Sequence, residues 1–399
     1  MSETVAEAYY DPYDHTIDTD PYPTWKRLRD EAPLYYNERY DFWALSRFDD
    51  VEKALVDWRT FISGKGSVLE MIKQNIEMPP GTILFEDPPA HDHHRGLLSR
   101  VFTPKRMTEI EPKVRDFCAK SLDHLVGSGG FDFIADLGAP MPMKTIGMLL
   151  GIPEADQQAI RDQLDKGLRL EEGVMPELSA DYSPGTHAAF GEYIDWRAEH
   201  PSDDLMTELL NAEFEDVTGT VRKLTREEVL NYVGLLAGAG NETTTRLIGW
   251  AGKVLAENPD QRAELVADPS LIPNAIEELL RYEAPSPVQS RYITRDVEYY
   301  GQTVPADNIM VLLNASGNRD ERKFDDPDRF DIHRQIGHHL TFGYGIHFCL
   351  GSHLARLEGR IALEEVLRRF PTWEVDGEKA VQAHTSTVRG WESLPVTTS

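Results

Sequence analysis

Cysteine is nearly absent from this chain, with Cys118 and Cys349 the only two in 399 residues. Two cysteines exclude a disulfide framework and a cysteine-held iron–sulfur cluster, and they point to a reducing compartment. Positive charge is also short, 41 Lys and Arg against 68 Asp and Glu, for a net charge of -27. That balance argues against nucleic acid or an anionic membrane as a partner. No run approaches the ~20 apolar residues needed to span a bilayer. Residues 1–23 are acidic and aromatic, without the basic start and apolar core of a signal peptide. Gly- or Ser-rich linkers, repeats and low-complexity stretches are missing, as are flavin and nicotinamide fingerprints. The expectation is a cytoplasmic, monomeric protein with residues 1–399 forming one domain.

Apolar residues make up 40% and charged residues 27%, which suits a globular chain long enough for a sizeable core. A coarse pass predicts mostly helix with small sheets. Residues 34–37 and 42–47 read as a hairpin, and residues 104–283 as helical, broken at Pro153, Pro184 and Pro201. Strand character returns at 297–300 and 309–313, and again after Pro371.

The most telling segment is Phe342-Gly343-Tyr344-Gly345-Ile346-His347-Phe348-Cys349-Leu350-Gly351. Apolar residues then recur at helical spacing from Leu350 to Leu367, until Pro371 ends the pattern. Cys349 thus stands at a helix mouth, where free N–H groups and the helix dipole favour an anion and lower a thiol's pKa. The flanking glycines permit a tight turn and leave room for a flat ligand. A lone cysteine is ordinarily a small buried hydrophobe. This one, glycine-flanked at a helix start, suggests an axial bond to a large planar cofactor.

A second segment lies mid-way along the longest predicted helix. Thr225 and Glu228 form a capping-box pattern, and helical character runs to Asn258, roughly 50 Å. Its centre reads Ala237-Gly238-Ala239-Gly240-Asn241-Glu242-Thr243-Thr244. Two interior glycines cost ~0.5–1 kcal/mol each relative to alanine. Close helix packing beside a solvated acid is one explanation for them.

Taken together, these segments resemble the cytochromes P450. The decapeptide fills every fixed position of that family's haem loop: Phe, Gly, any, Gly, any, His or Arg, any, Cys, any, Gly. The resemblance covers nearly the whole chain and implies the family's mainly helical, triangular body with a minor β region. It implies haem b as cofactor, Cys349 as axial iron ligand, and Phe342 and Gly343 against the ring. Glu242 and Thr243 fall where the family places its proton-relaying acid and alcohol, with Ala239 and Gly240 making room for dioxygen, in a helix locally opened to hold water. His91, Arg95, Arg291 and His347 match the contacts to the haem propionates. Glu278, Arg281 and Arg329 (in Pro327-Asp328-Arg329-Phe330) match a structural network behind the haem loop. A zinc site at His91, His93 and His94 is disfavoured, since the spacing scatters them around a helix. His338 and His339 read as surface or turn histidines.

The activity implied is monooxygenation, with one oxygen atom of O2 inserted into an apolar small molecule such as a steroid, terpenoid, fatty acid or aromatic. A peroxide-driven oxygenase and a haem-thiolate isomerase or dehydratase are alternatives that would not need the Glu242–Thr243 pair. A haem sensor ranks last, because no output module is present. Electrons would come from a ferredoxin and its reductase, docking where Arg100, Lys105, Arg106, Arg115 and Arg356 gather beneath Cys349. Ile72, Met78, Leu168, Leu170, Val233 and Val288 are expected to line the pocket, with Arg169 as a possible anchor for a substrate carboxylate.

Overall fold

The computed structural model describes residues 8–79, 81–99, 102–165, 170–178 and 187–398. Five helices build the surroundings of the haem loop: α1 (Ala90–Leu98), α2 (Pro104–Asp123), α3 (Arg226–Glu257), α4 (Ile272–Tyr282) and α5 (Ser352–Arg369). None of the described helices is long and apolar enough to cross a membrane.

Helix α3 starts where the sequence predicts. The Thr225 hydroxyl accepts from the Glu228 N–H while the Glu228 carboxylate accepts from the Thr225 N–H. Most of its length is buried, against α5, the helix Pro140–Leu150 and the π-helical turn Phe133–Gly138. Close approach to that turn is made at Gly249 and Gly252. A Cβ there would stand 2.7 Å from Ile134 and from the Phe133 ring, respectively. Gly240, by contrast, has only ordinary contact with Ile146 at 3.6 Å. The packing glycines therefore lie downstream of the central polar patch.

The largest sheet contains β1 (Leu34–Asn37), β2 (Phe42–Leu45), β3 (Phe61–Ile62), β4 (Gln289–Ile293) and β5 (Ile309–Leu312), ordered β1-β2-β5-β4-β3. The predicted hairpin is β1–β2, in register Leu34 to Leu45. Strand β4 opens earlier than the sequence suggests, and pairing Arg291 with Met310 on β5 fixes where that arginine stands. Two strand pairs interrupt the stretch read as helix: Glu213–Glu215 with Val221–Lys223, and Gly130–Asp132 with Pro395–Thr398. These strands are three or four residues long and their pairing is tertiary or turn-driven, so they leave little periodicity to read.

Behind the haem loop, Glu278 and Arg281 are fully buried and doubly bonded at 2.7 Å. Arg281 also donates to the carbonyls of Asn318 and Pro327. The third arginine is not the predicted one. Arg329 is 66% exposed and pairs with Asp331, giving the network only its carbonyl. Arg334 reaches Glu278 at 3.1 Å and binds the carbonyls of Asp325 and Arg329. Two arginines five residues apart compete for one buried carboxylate, and the turn between them turns the later one inward. Arg334→Ala should cost about 3 kcal/mol in urea unfolding, as loss of one partner of a buried pair does. Arg329→Ala should cost less than about 0.5 kcal/mol, and equal losses would contradict this assignment.

Candidate active site

The haem-loop segment closes on itself before α5 begins. The Cys349 N–H donates to the Phe342 carbonyl at 2.8 Å, and Gly351 caps the helix. Gly345 has φ +74°, and a Cβ there would lie 2.8 Å from the Leu55 carbonyl, so the turn needs glycine. Phe342 is buried under the Arg356 guanidinium, 4.5 Å from its ring centroid. Arg356 and His339 both pair with Glu277, which ties α5 and the loop to α4. His339 is accordingly buried, not the surface histidine expected.

The Cys349 thiol is exposed at its surface yet lies deep in the protein body. Burial pushes its pKa up, against the N–H groups of Gly351 and Ser352 and the charges of Arg95 and Arg356. The expected lowering by the helix end is thus reversed, because desolvation outweighs the dipole.

Four groups from three distant segments converge beside this loop. His91 and Arg95 come from α1, Arg291 from β4 and His347 from the loop itself. The His91 and His347 rings lie 4.5 Å apart. Arg95 donates to the Phe348 carbonyl. Arg291 is buried and donates only to the Ser290 carbonyl and to Gln289 Oε1, and burial brings its pKa down to about 10. Burial, then the charges of Arg291, His91 and Arg95, push His347 down to about 2. The Nε2 atoms of His91 and His347 are buried and have no hydrogen-bond partner among the described residues. Buried polar atoms are normally satisfied. A cationic corner with two unmatched ring nitrogens therefore fits a ligand edge rich in anionic acceptors, which the two propionates of haem supply.

On α3, Ala239 is exposed and Gly240 and Thr243 are half-buried, forming an open face in an otherwise buried helix. The helix is continuous through this segment, so the expected local opening is not seen. Thr243 donates to the Ala239 carbonyl at 2.9 Å. Glu242 is buried and accepts from Arg246 at 2.8 Å, and Arg246 in turn donates to the Trp391 carbonyl. Acid and alcohol are neighbours in sequence but serve different faces of the helix.

The sequence reading missed Glu358 on α5. It is buried beside Thr145 and Thr244, has one unpartnered oxygen, and burial pushes its carboxyl up to about 8. The available signal was an acid on the apolar stripe between Leu354 and Ile361. Gln289, two residues before Arg291 on β4, accepts from it directly. Of the expected pocket-lining residues, Ile72 and Val233 are packed into apolar clusters, Val288 lines a cavity with Gln289, and Leu168 and Arg169 lie outside the described residues. No group of His, Cys, Asp or Glu suited to a metal occurs among the described residues, and His94 pairs instead with Glu86 at 2.7 Å.

The expected docking cations are not free. Lys105 pairs with Glu109, Arg106 with Glu208, Arg115 with Glu111, Glu364 and Glu365, and Arg356 with Glu277. Arg100 lies outside the described residues. In so acidic a chain, surface arginines find carboxylates close at hand.

Comparison with known proteins agrees with this architecture. Residues 186–390 match the cytochrome P450 family model. The chain is 41% identical to the putative cytochrome P450 123 of Mycobacterium tuberculosis, over 98% of this chain and 97% of that one. It is 36% identical to the cyclomarin C epoxidase CymV of Salinispora arenicola, over 93% and 94% of the two chains. A mutant of P450 EryK in complex with erythromycin B superposes with a TM-score of 0.85 at 33% identity, covering 96% of each chain. A fold of this kind around a cysteine loop defines a haem-thiolate oxygenase. The chain belongs to the cytochrome P450 family and is a P450 monooxygenase, an oxidoreductase using O2, external electron donors and haem b on a cysteine thiolate.

The Glu277 tie gives the fold a definite acid response. Burial alone would raise this carboxyl, but His339 and Arg356 hold it at about 2, below its usual 4.5. A lowered folded pKa contributes stability above the unfolded value, lost as pH falls from 4.5 toward 2. Glu277→Gln should therefore lower the urea midpoint at about pH 6 by an amount worth ~2–3 kcal/mol, a gap that roughly halves by about pH 3 and closes only below about pH 2. Parallel curves at both pH values would refute the linkage.

Proposed function

We propose that Cys349 is the axial ligand of this P450, with His91, Arg95, Arg291 and His347 on the propionates and Phe342 and Gly343 against the ring. The observation that carries the assignment is the pair of buried, unpartnered Nε2 atoms of His91 and His347 beside two guanidinium groups and the thiol loop. When bound, haem with a thiolate ligand supplies reductive O2 activation and favours O–O cleavage, the chemistry that P450s themselves exemplify. The chain's own residues do the rest. The apolar side chains Ile72 and Val233 exclude water and orient an apolar small molecule. Thr243 holds a proton at Oγ1 on the open face of α3 and hands it toward the cofactor. Glu242, anchored by Arg246, replenishes that proton from the buried side. Residues 1–399 act as one catalytic domain, hydroxylating or epoxidising the substrate with electrons from a ferredoxin and its reductase.

The test is spectral. The dithionite-reduced protein under carbon monoxide should show a strongly red-shifted Soret band, and Cys349→Ala should lose that band, even where haem is retained. A band that survives the substitution would sink the ligand assignment. Thr243→Ala should keep the band and divert most of its electrons into hydrogen peroxide. Fully coupled turnover in that variant would refute the relay.

A further inference from the structure

A cavity of about 50 Å³ lies between the N-terminal segment, the helix Tyr22–Glu31, the short helix Leu69–Lys73 and the start of β4. Its walls include Tyr10, Tyr13, Trp25, Glu70, Val288 and Gln289. Gln289 joins it to the cofactor corner: its Oε1 accepts from Arg291 at 3.2 Å, and its Nε2 lies 3.7 Å from where a Gly343 Cβ would stand. The space holds a few waters or one small polar head, not a further ring.

Most charges in this wall are already matched. Asp11 is held by Arg39 at 3.0 Å and by the Tyr13 N–H, Asp18 pairs with His384 at 2.6 Å, and Arg389 binds Glu283 at 2.6 Å. Two groups are not. Glu70 is 4% exposed, accepts from the Tyr13 hydroxyl at 2.8 Å and pairs with no basic side chain among the described residues. Burial pushes its carboxyl up. Trp25 is 3% exposed, and its indole N–H is buried without an acceptor. The cavity wall thus carries, in Trp25 and Glu70, one donor without an acceptor among the described residues and one acceptor. A carboxylate head would meet Asp11, Asp18 and Glu70 and be repelled. An ammonium would answer Glu70 but leave Trp25 bare.

We propose that this cavity is the far end of the substrate seat and takes a neutral hydroxyl or carboxamide head, which accepts from the Trp25 indole N–H and donates to Glu70. The proposal rests on the monooxygenase reading only in placing the other end of the substrate at the haem. Such a head would fix which carbon of an otherwise apolar body faces the cofactor.

Four probes of one chain length test it on the holoenzyme: 1-decanol, decanamide, decanoate and decyltrimethylammonium, each titrated by calorimetry and by the low-to-high spin shift. The two neutral heads should bind about tenfold tighter than either charged one. Trp25→Phe and Glu70→Met should each cut that preference below about threefold, while Tyr13→Phe, which leaves both groups in place, should keep it. Equal affinities, a charged head binding tightest, or a preference that survives both Trp25→Phe and Glu70→Met would overturn the proposal. The expected ranking without any spin shift would separate the cavity from the substrate seat and overturn it too. Absence of the red-shifted carbon monoxide band would instead defeat the thiolate assignment, leaving the calorimetric ranking to stand by itself.

Discussion

The organising constraint is electrostatic: His91, Arg95, Arg291 and His347 meet beside the thiol loop, and among the described residues the one carboxylate in ion-pair contact with them is the exposed Asp92, 3.1 Å from His91 Nδ1. Isolated buried charge is costly, and proteins normally pair it or suppress it. Here the protein does a little of each. His347 is held neutral, Arg291 is eased downward, and two ring nitrogens stay without partners. This arrangement persists only because rigid elements force the four groups together. Strand β4 is pinned by its pairing with β5, α1 by its packing, and the loop by the Cys349 to Phe342 hydrogen bond.

The same logic explains why so much buried ionic structure lies behind the loop. Glu278, Arg281 and Arg334 hold the segment leading into it, and Glu277 with His339 and Arg356 holds the segment leading out. A turn with two glycines in left-handed conformations has little stability of its own. Bidentate arginine–carboxylate pairs give it fixed walls on both sides. The long helix α3 then sets the opposite boundary, its close packing through Gly249 and Gly252 leaving Ala239, Gly240 and Thr243 to face open space.

What could be read from the sequence follows the range of the interactions involved. The capping box and length of α3, the β1–β2 hairpin and the course of α5 are local, and all were legible in periodicity and end signals. Convergence of His91, Arg95, Arg291 and His347 was readable only through resemblance, because they come from three segments about 200 and 50 residues apart. The choice of Arg334 over Arg329 was not legible at all. Both stand near the same turn, and tertiary direction alone decides which one enters. Glu358 and the Glu242–Arg246 pair were hidden for the same reason, since their character depends on what packs against them.

Helix-end electrostatics, taken alone, would have made Cys349 a ready thiolate. Burial reverses this, favouring a neutral thiol, and it holds His347 neutral as well. On the proposed assignment each half calls for a counter-charge: a metal cation at the sulfur, and anionic acceptors at the corner of His91, Arg95, Arg291 and His347. A free metal ion would answer only the first, and a simple anion only the second. A planar group with iron at its centre and carboxylates at its edge answers both in one binding event. On the proposed assignment, the polarity of the thiol loop and of the neighbouring corner specifies the cofactor together with the cysteine motif.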